Sequence, residues 1–203
     1  KLEVGKAACQ LTWDFLHDYP APLGVKLLGL YDVWDHRDER VLPFQMRLRM
    51  EQLDPKDWSK CEAVWLKLFH GDLNYVGKLI HEGGLILQYD TEQKRRYAVT
   101  YAFEVPFPSS HSHLSSDDPE YTPPYRAVAV NLGHTNSKVF DSVYDPAKHD
   151  LMVSFVRRKD RLWNVSLYST HDRVHCGEIA RMYEGGGHKG AAGFSTAFVP
   201  FNY

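Results

Sequence analysis

Apolar residues in this chain change their spacing part-way along. Up to Gly84 they recur at helical intervals, and beyond it they alternate. That switch predicts a helical first part followed by a part built on strands, an α/β chain rather than an all-helical or all-strand one. Residues 5–17 read as a helix carrying Ala8, Leu11, Phe15 and Leu16, and Pro20 and Pro22 then break the chain. A second helix is expected from about Leu23 to Trp34. It is apolar nearly all round and should therefore be buried. Asp54-Pro55-Lys56-Asp57 is a helix start: Asp54 caps free N–H groups, Pro55 suits the first helical position and Asp57 complements the dipole. A further helical segment, about 72–81, is expected to end at Gly83-Gly84 and to serve as a connector.

After Gly84 the pattern reads as strands. Tyr97, Val99, Tyr101, Phe103 and Val105 alternate with Ala98, Thr100, Ala102 and Glu104. A loop rich in Pro, Ser and Asp covers 106–124, and a strand covers 125–131. Strands at 151–156 and 162–168 flank Arg157-Arg158-Lys159-Asp160-Arg161, which suits a hairpin turn. In the second arm Trp163, Val165 and Leu167 share one face, and Asn164, Ser166 and Tyr168 the other. A short helix at 174–183 precedes the glycines at 185–187, and a strand runs from about Ala192 to Val199.

With 203 residues the chain has room for one large domain or two small lobes. A net charge of −2 does not indicate a large basic surface for long duplex nucleic acid, and a local basic patch remains open. No apolar run approaches the roughly 18–20 residues that span a bilayer, so no membrane insertion is expected. Cys9, Cys61 and Cys176 form no C-x-x-C pair; they read as reduced, buried thiols of a cytoplasmic protein. The chain opens at Lys1-Leu2-Glu3 with neither an initiator Met nor a signal peptide, so a fragment or a processed piece is expected.

The densest chemical signal is Gly185-Gly186-Gly187-His188-Lys189-Gly190-Ala191-Ala192-Gly193-Phe194. Successive glycines permit positive φ and close approach to the backbone, and their N–H groups can form an anion-binding concavity. His188 adds a switchable donor and Lys189 a fixed positive charge, a combination suited to a phosphate or a nucleotide end. A plain glycine helix cap is the alternative, although one Gly would suffice for it. Other candidates are weaker. His111 and His113 sit in the polar loop, Ser109, Ser110, Ser115 and Ser116 have no evident base, and His175 could face the glycines. Trp13, Trp34 and Trp65 read as core. Neither a P-loop nor a G-x-G-x-x-G after a strand is present.

The Gly-Gly-Gly-His segment followed by small residues resembles the signature of the DHHA1 domain of DHH-family phosphoesterases. Gly177-Glu178-Ile179-Ala180 and the Trp163–Ser169 strand resemble the same family. Residues 5–13 and 27–35 are similar to the end of its DHH domain. The resemblance implies residues 1–53 as the C-terminal part of a DHH domain, 54–84 as connector helices and 85–203 as a DHHA1-like lobe of mixed α/β structure. It implies a hydrolase acting on phosphodiester or phosphomonoester bonds of short oligonucleotides or nucleotides, an exonuclease-type phosphoesterase using manganese or another divalent cation.

The family's Asp-x-Asp and Asp-His-His motifs are absent, and Asp35-His36-Arg37 is not a substitute. The resemblance makes Asp32 the leading metal candidate and Asp35 a lesser one. For Asp32, pairing with Arg37 or Arg47, or plain solvation, is the alternative. The substrate is expected at Gly185, Gly186, Gly187, His188, Lys189 and Tyr168. Tyr168 stands where many members carry Arg, and it can stack or donate one hydrogen bond but cannot neutralise charge. Arg157 and Arg158 are either a solvated turn or a replacement source of charge. The partner is a short oligonucleotide or nucleotide phosphate, with a homodimer or a missing N-terminal segment as further expectations. A non-catalytic module binding a nucleotide or nucleic-acid end is the alternative function.

Overall fold

The computed structural model describes residues 5–109, 115–120 and 122–201. It divides into two compact units, 1–90 and 91–203. The class is α/β, with helices preceding a mixed sheet.

The first unit holds α1 (Ala8–Leu16), α2 (Leu23–Asp32), α3 (Val41–Leu48), a 3-10 turn (Pro55–Asp57) and α4 (Trp58–Phe69). It also holds the first part of α5 (Leu73–Tyr101). Asp54 caps as its sequence suggests, its side chain accepting from the Lys56 N–H at 3.0 Å. The core gathers Leu27, Val41, Phe44, Leu48, Leu68, Val76 and Leu79. α2 presents only Gly24, Val25, Leu27 and Gly29 to the interior. Trp34, expected in the core, lies past the end of that helix in the left-handed region (φ 60) and is exposed.

α5 corrects the reading of residues 82–102. It passes straight through Gly83-Gly84 and continues to Tyr101, so the alternation from Tyr97 is not a strand. Gly83 is needed for packing rather than for termination: a Cβ there would lie 1.8 Å from the Pro43 carbonyl oxygen. The strand begins only at Phe103.

The second unit contains one six-stranded sheet: β1 (Phe103–Phe107), β2 (Tyr125–Asn131), β3 (Leu151–Arg157), β4 (Trp163–Tyr168), β5 (Gly186–Gly187) and β6 (Ala191–Thr196). Its order is β1-β2-β3-β4-β6-β5, with β2 and β3 parallel and every other pair antiparallel. α6 (Cys176–Arg181) joins one face. There Val153, Phe155, Val165, Leu167, Ile179, Ala180 and Phe194 form a closed apolar core. On the other face Ala98 of α5 and the 3-10 turn Ser137–Phe140 cover Val128, Val130 and Met152.

Asp150, only 4% exposed, holds the start of β3. It accepts from the Arg126 backbone N–H at 3.0 Å, from the Arg126 guanidinium at 3.0 and 3.1 Å, and from Arg173. The Arg126 hydrogen bonds bring its carboxyl from an ordinary 3.8 down to about 2.

Candidate functional site

The chain from His175 to Thr196 is a short helix followed by a tight hairpin. The His188 N–H donates to the Ala191 carbonyl at 2.7 Å, which puts Lys189 and Gly190 at the hairpin tip. The glycines have distinct steric duties. A Cβ on Gly185 would sit 2.3 Å from the Gly193 oxygen. Gly187 has φ +146, and a Cβ there would meet the Ala192 Cα at 2.5 Å. Gly186 is different: a Cβ there would enter open space.

The amides differ from the open concavity expected of the sequence. Gly185 N–H donates to Ala180 (2.9 Å), and Gly186 and Gly187 form β5. The first N–H groups of α6 are likewise taken. Cys176 donates to the Lys189 carbonyl and Gly177 to the His188 carbonyl. The Glu178 N–H reaches His175 Nδ1 at 3.2 Å. His175 is therefore a helix cap, and this corner is closed by hairpin backbone rather than left as a nest of free amides.

What stays exposed beside it is the part of the neighbouring sheet face over β4, β6 and β5; at β3 the same face is covered, with Met152 and Ser154 buried. Opposed residues on antiparallel strands share a face, so the register can be read across the strands. One row runs Ser154, Ser166, Gly193, Gly186 over β3, β4, β6 and β5. The adjacent row runs Met152, Tyr168, Ala191, and the hairpin bond extends it to His188. A third row holds Val156, Asn164 and Ser195. Tyr168 and His188 thus flank Ala191, two strand spacings or about 10 Å apart at the backbone. Between and beside them the floor is made of small residues.

Tyr168 is half-buried and leans on the Met152 patch, while His188 is exposed. Lys189 is also exposed, but its ammonium pairs with Asp172 at 2.9 Å. The backbone register sets Tyr168 and His188 on either side of Ala191, and Gly186 opposite Gly193. It commits Gly185 and Gly187 to packing and Lys189 to a partner at the hairpin tip.

Asp32 and Asp35 belong to the first unit. Asp32 ends α2 and is exposed, so the expected burial of its carboxylate is not found. It pairs with neither Arg37 nor Arg47. It lines an apolar cavity of about 780 Å³ together with Cys9, Trp13, Tyr19, Trp65 and Phe69. Asp35 is held by Arg37 through two side-chain hydrogen bonds of 2.9 and 2.5 Å, and those bonds bring its carboxyl down to about 2. Arg47 bonds Glu51 and Glu82. No group of three or more His, Cys, Asp or Glu side chains is placed to hold a metal among the described residues. The described donors thus do not by themselves fit a manganese site.

His111, His113 and Ser110 lie outside the described residues. Ser109 is buried and bonded to Thr122. Cys61 and Cys176 are buried as expected, and burial pushes the Cys176 thiol up to about 11. Cys9 is exposed, contrary to expectation. Sequence reasoning missed Ser195 on the open face, because its neighbours Asn164 and Arg158 are 31 and 37 residues away in the chain. No described helix is long and apolar enough to cross a membrane.

No family model and no curated protein matches the chain. Among solved structures it is similar to a pGpG-specific phosphodiesterase, PggH, from Vibrio cholrae, at 13% identity and a TM-score of 0.47, over 93% of this chain and 67% of that one. It is also similar to an uncharacterized protein from Helicobacter pylori G27, at 16% identity and a TM-score of 0.36, over 100% of this chain and 64% of that one. The chain spans about two thirds of the length of these two. At these identities and scores neither likeness assigns a family or an activity.

Proposed function

We propose that the second unit holds the phosphate-bearing end of a short oligonucleotide or nucleotide, as the substrate-binding part of a phosphoesterase. The observation that supports this reading is the cross-strand register that brackets Ala191 between Tyr168 and His188, beside the small residues Gly193 and Gly186. Small floor residues let a planar or phosphoryl group approach the backbone closely. His188 supplies a donor for a phosphate oxygen, and Tyr168 offers a ring edge or face to a base. The closed glycine corner fixes the hairpin, and with it the position of His188.

Hydrolysis through manganese, as the family resemblance implies, requires metal donors beyond those the described residues bring together. A non-catalytic binding module is therefore the second reading, favoured by the lack of a metal-donor cluster among those residues. Two measurements on the 203-residue chain test the proposal. Titration with a 5′-phosphorylated dinucleotide should show binding that His188→Ala weakens by about tenfold, the loss of one charge-assisted hydrogen bond. An unchanged affinity would remove His188 from the site. Mn²⁺-dependent release of mononucleotides from the same ligand would defeat the non-catalytic reading.

A further inference from the structure

We infer that the end of α2 carries a ligand site of its own, in which Trp34 stacks on a flat aromatic ring and Arg49 pairs with an anionic group of the same small molecule. The site lies within the first unit and does not rest on the function proposed above.

The signal begins with the backbone. α2 closes in a Schellman turn: the Trp34 N–H donates to the Tyr31 carbonyl at 3.1 Å, and the Asp35 N–H to the Leu30 carbonyl at 2.8 Å. That pair of bonds puts Trp34 at the left-handed position of the turn, and its φ is 60. Glycine suits this position, because a Cβ there crowds the following carbonyl oxygen, and a bulky aromatic residue is an outlier. Core burial could offset the strain, but Trp34 is 66% exposed. An unfavourable conformation and an unfavourable exposure thus coincide at one residue, the pattern of a position held for binding.

Its neighbours make the ring part of a larger surface. Trp34 meets His36 at 4.7 Å and Tyr31 at 5.7 Å between ring centroids, and the Tyr31 and His36 rings stack 24° from parallel. Arg49, at the C-terminal end of α3, reaches the same cluster. Its Nη2 donates to the Tyr31 hydroxyl at 2.6 Å, and its guanidinium carbon lies 5.2 Å from the Tyr31 ring centroid. Tyr31 therefore touches both the exposed indole and the guanidinium.

Charge decides the kind of ligand. Residues 35–51 hold four arginines. Arg37 pairs with Asp35, Arg40 with Asp38, and Arg47 with Glu51 and Glu82. Arg49 is exposed and has no carboxylate partner among the described residues. Its remaining N–H groups are open to an outside anion. A guanidinium fork matches carboxylate or phosphate oxygens, and an indole face matches a flat ring. A nucleoside monophosphate and an aromatic carboxylate share this chemistry. An aliphatic anion would use the arginine alone, and a neutral aromatic the indole alone.

Nuclear magnetic resonance of the full chain tests the site directly. The five tryptophans give separate indole N–H signals, and the one lost in Trp34→Phe belongs to Trp34. Titration with adenosine 5′-monophosphate or 2-naphthoate should move that signal, and whichever ligand moves it identifies the source of the ring and anion. Adenosine and inorganic phosphate should each require about tenfold more ligand or fail to move it. Arg49→Gln should weaken the effective ligand about tenfold, and His188→Ala should leave the Trp34 response unchanged. An Arg49→Gln chain with wild-type affinity would overturn the inference. Trp34→Gly separates binding from folding: glycine suits the left-handed position, so the urea midpoint should hold or rise. A lower midpoint would mean that the ring serves the fold, and the inference fails. If neither ligand moves the Trp34 signal, this site falls while the hairpin site is untouched.

Discussion

Over β4 the two faces of the sheet are made by alternate residues of one strand, yet they have opposite characters. On β4, Val165 and Leu167 are sealed under α6, at 1% and 0% exposure. Their immediate neighbours Asn164, Ser166 and Tyr168 look the other way, over Gly193 and Gly186. The closed face gives stability, through apolar area removed from water. The opposite face is apolar and covered at β2 and β3, and only its part over β4, β6 and β5 contributes little packing. Substitutions on the two faces should accordingly separate folding from binding.

The largest effect belongs to Leu167→Ala, fully buried on the closed face, at about 2–5 kcal/mol in urea unfolding. Next is Asp150→Asn, which leaves the half-exposed Arg126 and Arg173 facing a group that no longer carries charge and should cost about 2 kcal/mol. Ser166→Ala, beside Leu167, should stay within about 0.5 kcal/mol. Comparable losses for Leu167 and Ser166 would erase the contrast.

Gly185→Ala and Gly186→Ala sharpen it further. The first methyl meets backbone at 2.3 Å and should destabilise the hairpin by about 1–3 kcal/mol. The second meets nothing within 4 Å, so folding should be unchanged while dinucleotide affinity falls. Equal stability losses would place both glycines in the packed corner.

The smallest signal is acid sensitivity. The folded pKa of Asp150, about 2, lies below its ordinary 3.8. Its contribution is therefore complete above the ordinary value and is lost as pH falls from 3.8 towards about 2. Urea midpoints measured across that window should decline in the wild type, and less steeply in Asp150→Asn.

Much of this was visible in the sequence where neighbours in space are neighbours in the chain. The hairpin at 158–162, both of its strands and the Asp54 cap follow from local patterns. The failure at α5 has a local cause. Tyr97 and Tyr101 alternate with small residues, but they are also four apart, as are Ala98 and Ala102. In the helix Ala98 is buried and the two tyrosine rings meet at 4.7 Å. Both periods fit, and packing chose the helical one. Gly83 misled in the same way, since a notch for the Pro43 carbonyl and a helix stop use the same residue. The glycine motif could be found from sequence, but its division of labour could not. Which glycine touches Phe194 and which touches nothing depends on the path of β6.

That division bears on how such a protein can change over time. Because Gly186 touches nothing and Ser166 carries little of the packing, the bottom of the trough can be raised or lowered one methyl at a time while the strands beneath keep their pairing. Ligand size and foldedness are then under separate genetic control, and a new preference can be tried without first acquiring extra stability to absorb it.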